Sequence, residues 1–219
     1  MLTANCETVE VLDIVPIIRH GGVVAFPTDT VFGIGCDPFN KEAVEKVFEI
    51  KKRENKPLPV LCSDIAKVVK IVDLGESGLR LANRFWPGGL TIVATPLPPN
   101  LPKQLTSGSK GLGVRIPNHK GALNLITSCS GYLVGTSANI SGRETLRTAE
   151  DIMKFFGNKL DALLYGGTTP SGLQSTVVSV VDSKVKILRS GIIPTELVLD
   201  TLREEKIRIG QEHIHINNV

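Results

Sequence analysis

Residues 27–35 read Pro-Thr-Asp-Thr-Val-Phe-Gly-Ile-Gly, and residues 137–142 read Ser-Ala-Asn-Ile-Ser-Gly. Each stretch sets hydroxyls, a carboxylate or amide, and glycine directly after an apolar, strand-like run. A segment of that kind can turn tightly and offer many hydrogen bonds to a small polar ligand. A core holds such a density of polar groups only if each is paired. Cations lie between the two stretches: Lys51, Lys52, Arg53 and Lys56 before Pro57, and Arg115 within Gly-Val-Arg-Ile-Pro. Clustered cations offset phosphate charge, and a guanidinium can clamp a carboxylate with two parallel bonds. Together these features suggest a site for an anionic small molecule. Singly, each has a plainer reading: a solvated helix end favoured by the dipole, a solvent-facing strand position, or a turn closed by its own side chains.

The elements that must hold these residues alternate between strand-like and helical patterns. Val9–Leu12 reads as a short strand, followed by a brief helix from Asp13 to Arg19. Val23–Phe26 is a continuous apolar run suited to a strand buried on both faces. Apolar residues at Ala43, Val44, Val47, Phe48 and Ile50 carry the helical period from Glu42 to about Lys52. Strands are expected at Leu58–Cys62, Leu90–Thr95, Gly113–Ile116, Tyr132–Gly135, Ala162–Tyr165, Ser175–Val181 and Val185–Leu188, the last two forming a hairpin. Helices are expected from a Ser63 cap to Val72, over Gly78–Trp86 and His119–Ser128, from a Thr148 cap to Phe156, and from Thr195 to Arg203. The alternation favours one α/β domain with a twisted mixed sheet.

Composition excludes several classes. The 219 residues are 42% hydrophobic and 21% charged, with a formal net charge of +3, as in an ordinary globular chain. No apolar run approaches the ~20 residues that span a bilayer. The first residues lack a secretory pattern, which points to the cytoplasm. Cys6, Cys36, Cys62 and Cys129 form no close pair, so they read as free thiols rather than a zinc or redox site. Four histidines show no helical metal spacing, and no metal site is expected. GxxxxGK[ST] and GxGxxG are both absent. The mildly basic balance permits RNA or nucleotide binding without requiring it.

Taken in order, these segments resemble the YrdC/TsaC family, the L-threonylcarbamoyladenylate synthases. The resemblance runs from about Asp13 to Gly191. It rests on residues 27–35, Lys51 with Arg53, Lys56-Pro57-Leu58, Trp86-Pro87-Gly88-Gly89-Leu90-Thr91, Val114-Arg115-Ile116-Pro117, residues 137–142, Ser175-Thr176-Val177-Val178 and Arg189-Ser190-Gly191. It implies an α/β fold: a YrdC-like twisted open mixed sheet flanked by helices, with a concave basic face. The domain would span 1–205, with a C-terminal tail at 206–219, in the single-domain form of the family. It implies that L-threonine, bicarbonate and ATP with Mg2+ become threonylcarbamoyl-AMP and pyrophosphate. A threonylcarbamoyl transferase complex would then modify adenosine 37 of tRNA.

By the same resemblance Lys51, Arg53 and Lys56 are catalytic, and Thr30, Arg115, Ser137 and Ser175 bind L-threonine. Arg53, Lys56, Gly111, Asn139, Arg147 and Arg189 bind ATP, with Arg147 or Thr148 on the adenosine side. The chain departs from the family pattern in four ways. Phe32 stands where tyrosine is usual. The segment between Arg53 and Lys56 is one residue short, which leaves Lys52 as an alternative to Arg53. Leu61 stands near a usual histidine or cysteine, and Arg147 replaces a more usual threonine or serine. A second reading is an RNA-binding or ribosome-associated protein of the same fold without this activity. A third, a carbamoyl-adenylating domain of hydrogenase maturation, lacks its accompanying zinc-finger and acylphosphatase segments here.

Overall fold

The computed structural model describes residues 1–8, 10–53, 56–98, 101–142, 144–167 and 172–203. The expected tail at 206–219 lies outside the described residues. In chain order the elements are β1 (Leu2–Asn5), α1 (Val11–Arg19), β2 (Val24–Phe26), β3 (Gly33–Gly35), α2 (Lys41–Lys51) and β4 (Val60–Cys62). Next come α3 (Ile65–Ile71), β5 (Val72–Asp73), α4 (Gly75–Phe85), β6 (Leu90–Pro96), β7 (Leu112–Arg115) and α5 (Lys120–Ser128). The series continues with β8 (Tyr132–Val134), β9 (Thr136–Ser137), α6 (Ala149–Phe156), β10 (Ala162–Tyr165), β11 (Thr176–Ser179) and β12 (Lys186–Arg189). Residues 195–203 are helical.

The strands form two mixed sheets rather than the single one expected. One has five strands in the order β1-β10-β2-β3-β9; the other has seven, β12-β11-β6-β7-β4-β8 with β5 paired to β6. The chain passes between them where β8 runs into β9. There Val134 N donates to Cys36 O at 2.9 Å and Gly135 N to Pro59 O at 3.0 Å. Gly35 makes this junction possible, because a Cβ on it would lie 1.9 Å from Val134 O.

Local chemistry explains most element boundaries. Asn40 caps α2 by accepting from Ala43 N at 2.9 Å, and Thr148 caps α6 by accepting from Asp151 N at 3.0 Å. His119 Nδ1 accepts from Ala122 N at 3.2 Å to open α5. For α3 the cap is Asp64, which accepts from Lys67 N, while Ser63 donates to the Asp64 carboxylate instead of capping. The expected strand at 9–12 is not one. Val9 lies outside the described residues, and Val11 begins α1, whose buried stripe is Val11, Ile14, Val15 and Ile18. The strand at this end is β1, which pairs in parallel with β10.

Two apolar clusters hold the layers. The smaller gathers β1, β2 and β10 against α1 and α5, through Ile14, Ile18, Val24, Phe26, Leu125 and Leu164. The larger fills the space between the seven-stranded sheet and α2, α3 and α4, through Val44, Val47, Val60, Leu81, Leu90, Ile92 and Val114. Burying such side chains contributes about 1.5–3 kcal/mol each. All four cysteines are free. Among the described residues no helix is long and apolar enough to cross a membrane.

Candidate active site

The first polar loop closes on itself through Thr28. Its hydroxyl donates to Val31 O at 2.6 Å and accepts from Thr30 N and Val31 N at 3.2 Å. This turn sets Thr30 and Asp29 beside the end of β7, where Arg115 is held at three points. Its Nε donates to Gly88 O at 2.8 Å, one Nη to Thr30 Oγ1 at 2.9 Å and the other to Asp29 Oδ1 at 2.6 Å. The first of these bonds ties in the turn after the cis Trp86–Pro87 peptide. Arg115 is 6% exposed. Burial lowers its pKa, and Asp29 opposes that shift.

Arg115 opens onto a cavity of about 500 Å3. Val93, Gly113, Val177 and Ser179 of β6, β7 and β11 and their flanks form its floor; Thr28, Thr30, Thr136, Ser137 and Ser175 supply hydroxyls at its walls. Ser175 Oγ lies 2.8 Å from Thr91 Oγ1. Arg189 lines the cavity as well, donating from Nη2 to Ser175 O at 2.8 Å and from Nη1 to Gln174 Oε1 at 2.6 Å. Arg53 is anchored by bonds to Lys56 O at 2.9 Å and Pro57 O at 2.7 Å.

Cations crowd this cavity. Arg53, Lys110, Arg115 and Arg189 line it, and the described lining includes no carboxylate. Partial desolvation and then the neighbouring Arg189 lower the Arg53 pKa; desolvation and then Arg115 lower that of Arg189. Guanidiniums placed close enough to disfavour one another's charge hold a site ready for a polyanion.

Of the residues expected here, Thr30, Arg53, Gly111, Arg115, Ser137, Ser175 and Arg189 line the cavity together. Lys51, Lys56, Asn139 and Arg147 are not in the lining. Lys56 is exposed beside Arg53, and Arg147 is exposed against Gly172. Lys51 is wholly buried. Its ammonium donates to the Ser137 carbonyl, to Asn139 O at 2.8 Å and to Asn139 Oδ1 at 3.1 Å. Burial, then Arg53, pushes its pKa down to about 7. Between the alternatives Lys52 and Arg53, it is Arg53 that lines the cavity, while Lys52 is exposed in a left-handed conformation (φ 47°) that ends α2. Phe32 packs in the core, and Leu61 lines the cavity.

Sequence reasoning set Asp29 in a ligand-binding turn and Thr91 in a family motif without giving either a role in the site, and it left out Lys110 and Gln174. A hydroxyl inside the apolar run of β6 was a signal for Thr91. A carboxylate between two threonines was one for Asp29. Nothing local marked Lys110 or Gln174.

The Sua5/YciO/YrdC family model, described as "Telomere recombination", matches residues 16–191. The chain belongs to this family. It is 36% identical over 200 residues to the threonylcarbamoyl-AMP synthase of Pyrococcus abyssi, covering 90% of this chain and 56% of that protein. It is 35% identical over 184 residues to the Bacillus subtilis protein of the same name, covering 83% and 53%. The chain therefore spans about half the length of these curated relatives. Among solved structures, Pyrococcus abyssi Sua5 complexed with L-threonine aligns with a TM-score of 0.85 at 32% identity, covering 91% of this chain and 59% of that one. Escherichia coli YciO aligns at 0.78 with 23% identity, covering 88% and 95%, and bears on the fold alone. These neighbours share the mixed α/β architecture of the Sua5/YciO/YrdC fold.

Proposed function

We propose that the chain makes threonylcarbamoyl-AMP and pyrophosphate from L-threonine, bicarbonate and MgATP, as a nucleotidyltransferase. The observation that carries this reading is the grouping of Arg53, Arg115 and Arg189 with Thr30, Ser137 and Ser175 around one cavity that has no carboxylate in its described lining. Family membership and the names of the two relatives support it. The RNA-binding alternative is not favoured, since the two relatives above are named threonylcarbamoyl-AMP synthases and the Pyrococcus abyssi Sua5 structure is complexed with L-threonine.

The chemistry follows from charge. Threonine carboxylated on its nitrogen is an anion, and its carbamate oxygen must approach an α-phosphorus that is itself surrounded by anionic oxygens. The new P–O bond forms as the bond to pyrophosphate breaks, in line with it. Fixed cations that offset this repulsion, and groups that hold the approach, lower the barrier. Arg115 takes the threonine carboxylate, held in direction by Asp29 and Gly88, and Thr30, Ser137 and Ser175 surround the rest of the threonine. Arg53 and Arg189 take the phosphates, with Lys56 at the rim. The apolar floor and the backbone at Gly111 receive the adenosine, with Arg147 beyond. Among the described residues no three His, Cys, Asp or Glu side chains cluster as a metal site. We assign magnesium to the nucleotide substrate, held by its phosphates. We assign the product to a threonylcarbamoyl transferase acting on tRNA, and the protein to the cytoplasm, where its free thiols stay reduced.

The test is incubation of the purified protein with ATP, magnesium and bicarbonate, with and without L-threonine. Threonine-dependent pyrophosphate release, with threonylcarbamoyl-AMP identified by mass spectrometry, is the expected result. Nucleotide binding without threonine-dependent turnover would sink the assignment.

A further inference from the structure

Lys51 is a fully buried cation that the reaction above leaves unused. An ammonium has three donors and no acceptor. Those donors meet three oxygens, the carbonyls of Ser137 and Asn139 and the Asn139 side-chain Oδ1. The cation therefore dictates which way the Asn139 amide faces, since only oxygen can face a donor. That oxygen lies 2.7 Å from Ser137 Oγ, so the serine must give it its hydrogen. The lone pairs of Ser137 Oγ are left for the cavity, which Ser137 lines. Lys51 itself is absent from that lining.

We propose that Lys51 is a positioning residue that touches no substrate: through Asn139 it fixes the 137–141 loop and makes Ser137 a hydrogen-bond acceptor toward the cavity. The substrate atom opposite Ser137 is then an N–H or O–H donor, a group that a threonine carbamate carries and a bare phosphate does not. The loop is tied a second time from the same helix end, where Ser141 N donates to Lys51 O at 3.0 Å. One residue thus holds both ends of the segment, its ammonium near one end and its carbonyl at the other.

The test has three arms, two of which rest on the synthase reading. In the free protein at pH 6, a nitrogen-15 correlation should show a slowly exchanging Lys51 ammonium that saturating MgATP leaves unshifted. A solvent-like lysine, or one that moves with ATP, overturns the proposal whatever the protein catalyses. In the threonine-dependent assay, Lys51→Met and Asn139→Leu should each lower kcat/KM for L-threonine by about 30-fold, the scale of a lost charge-assisted hydrogen bond. The double variant should lose no more than about threefold beyond the worse single, because coupled residues are not additive. Losses that multiply would mean that Lys51 acts independently, against the proposal. Asn139→Leu removes the oxygen that Lys51 and Ser137 share and should cost threonine kcat/KM far more than ATP affinity. An equal collapse of ATP affinity in that variant would put phosphate against the pair and overturn the proposal, even if Lys51→Met failed to fold. If the wild type makes no threonylcarbamoyl-AMP while the ammonium signal behaves as described, the reaction is wrong and the placement of Lys51 stands.

Discussion

Arg115 keeps its charge where burial works against it, because three partners fix it from different directions. Lysine reaches one point at a time and cannot reproduce that fork. Arg115→Lys should leave the fold intact and lower kcat/KM for L-threonine by about 100-fold, since bonds to charged groups are worth about 1.5–3 kcal/mol each. Steady-state kinetics over a threonine series checks this, and an unchanged KM for threonine would contradict the carboxylate role. Lys51 offers a different reading. Its pKa sits at about 7 against an ordinary 10.5. From about pH 7 to pH 10 the unfolded chain therefore binds a proton that the folded chain does not, and stability rises with pH across that window. The ammonium supplies three donors to the loop and costs stability in doing so. Urea unfolding at pH 6.5 and pH 9 should show the wild type gaining on Lys51→Met at the higher pH. A pH-independent gap would return Lys51 to its ordinary pKa.

Elements differ in how far a sequence can announce them. α2, α5 and α6 have periodic faces and capped starts, α4 a periodic face with no side-chain cap, and their expected spans come within a few residues of those found. Thr148→Ala should accordingly lose about 1 kcal/mol, the worth of a helix cap, measured by urea unfolding. The strands β1, β3 and β9 run from two to four residues, and their partners, not their own residues, define them. No local pattern says that β8 leaves one sheet and β9 joins another, so one sheet was the natural expectation. The packed junction at Gly35 makes the point testable. Gly35→Ala should cost at least about 2 kcal/mol, as forced overpacking does, and should expose the buried Cys36 to thiol reagents. A variant as stable as wild type, with Cys36 still protected, would show that the sheets are not pressed together there. The site divides in the same way. Loop composition revealed which residue types gather, but facing is a matter of three dimensions. Lys51 and Arg53 are two positions apart, yet the left-handed turn at Lys52 sends one inward beneath a loop and the other to the cavity wall.

At the scale of the molecule, the formal net charge of +3 understates what the cavity feels. Four lining cations share a space of about 500 Å3; the Asp29 carboxylate is committed to Arg115, and Asp182 pairs with the exposed Lys110 at 3.5 Å. In the free protein these charges repel, so part of the binding free energy of a polyanion comes from relieving strain already present. Pyrophosphate, the proposed product, is the simplest probe. At about 100 times its Kd a ligand specific for the folded state adds about 2.7 kcal/mol. For a chain of this size that corresponds to roughly 5–11 °C in Tm. Arg189→Gln removes the guanidinium that stands near both Arg53 and Arg115. The variant should show less than about half the wild-type shift at equal pyrophosphate concentration, the remaining cations being further apart. Raising the salt from about 0.05 M to about 0.5 M should shrink the wild-type shift more than that of the variant, because screening acts on the charges that remain. A thermal shift that is insensitive both to salt and to Arg189→Gln would mean that the cations do not act together on one anion, and the electrostatic basis for the synthase chemistry would fail with it.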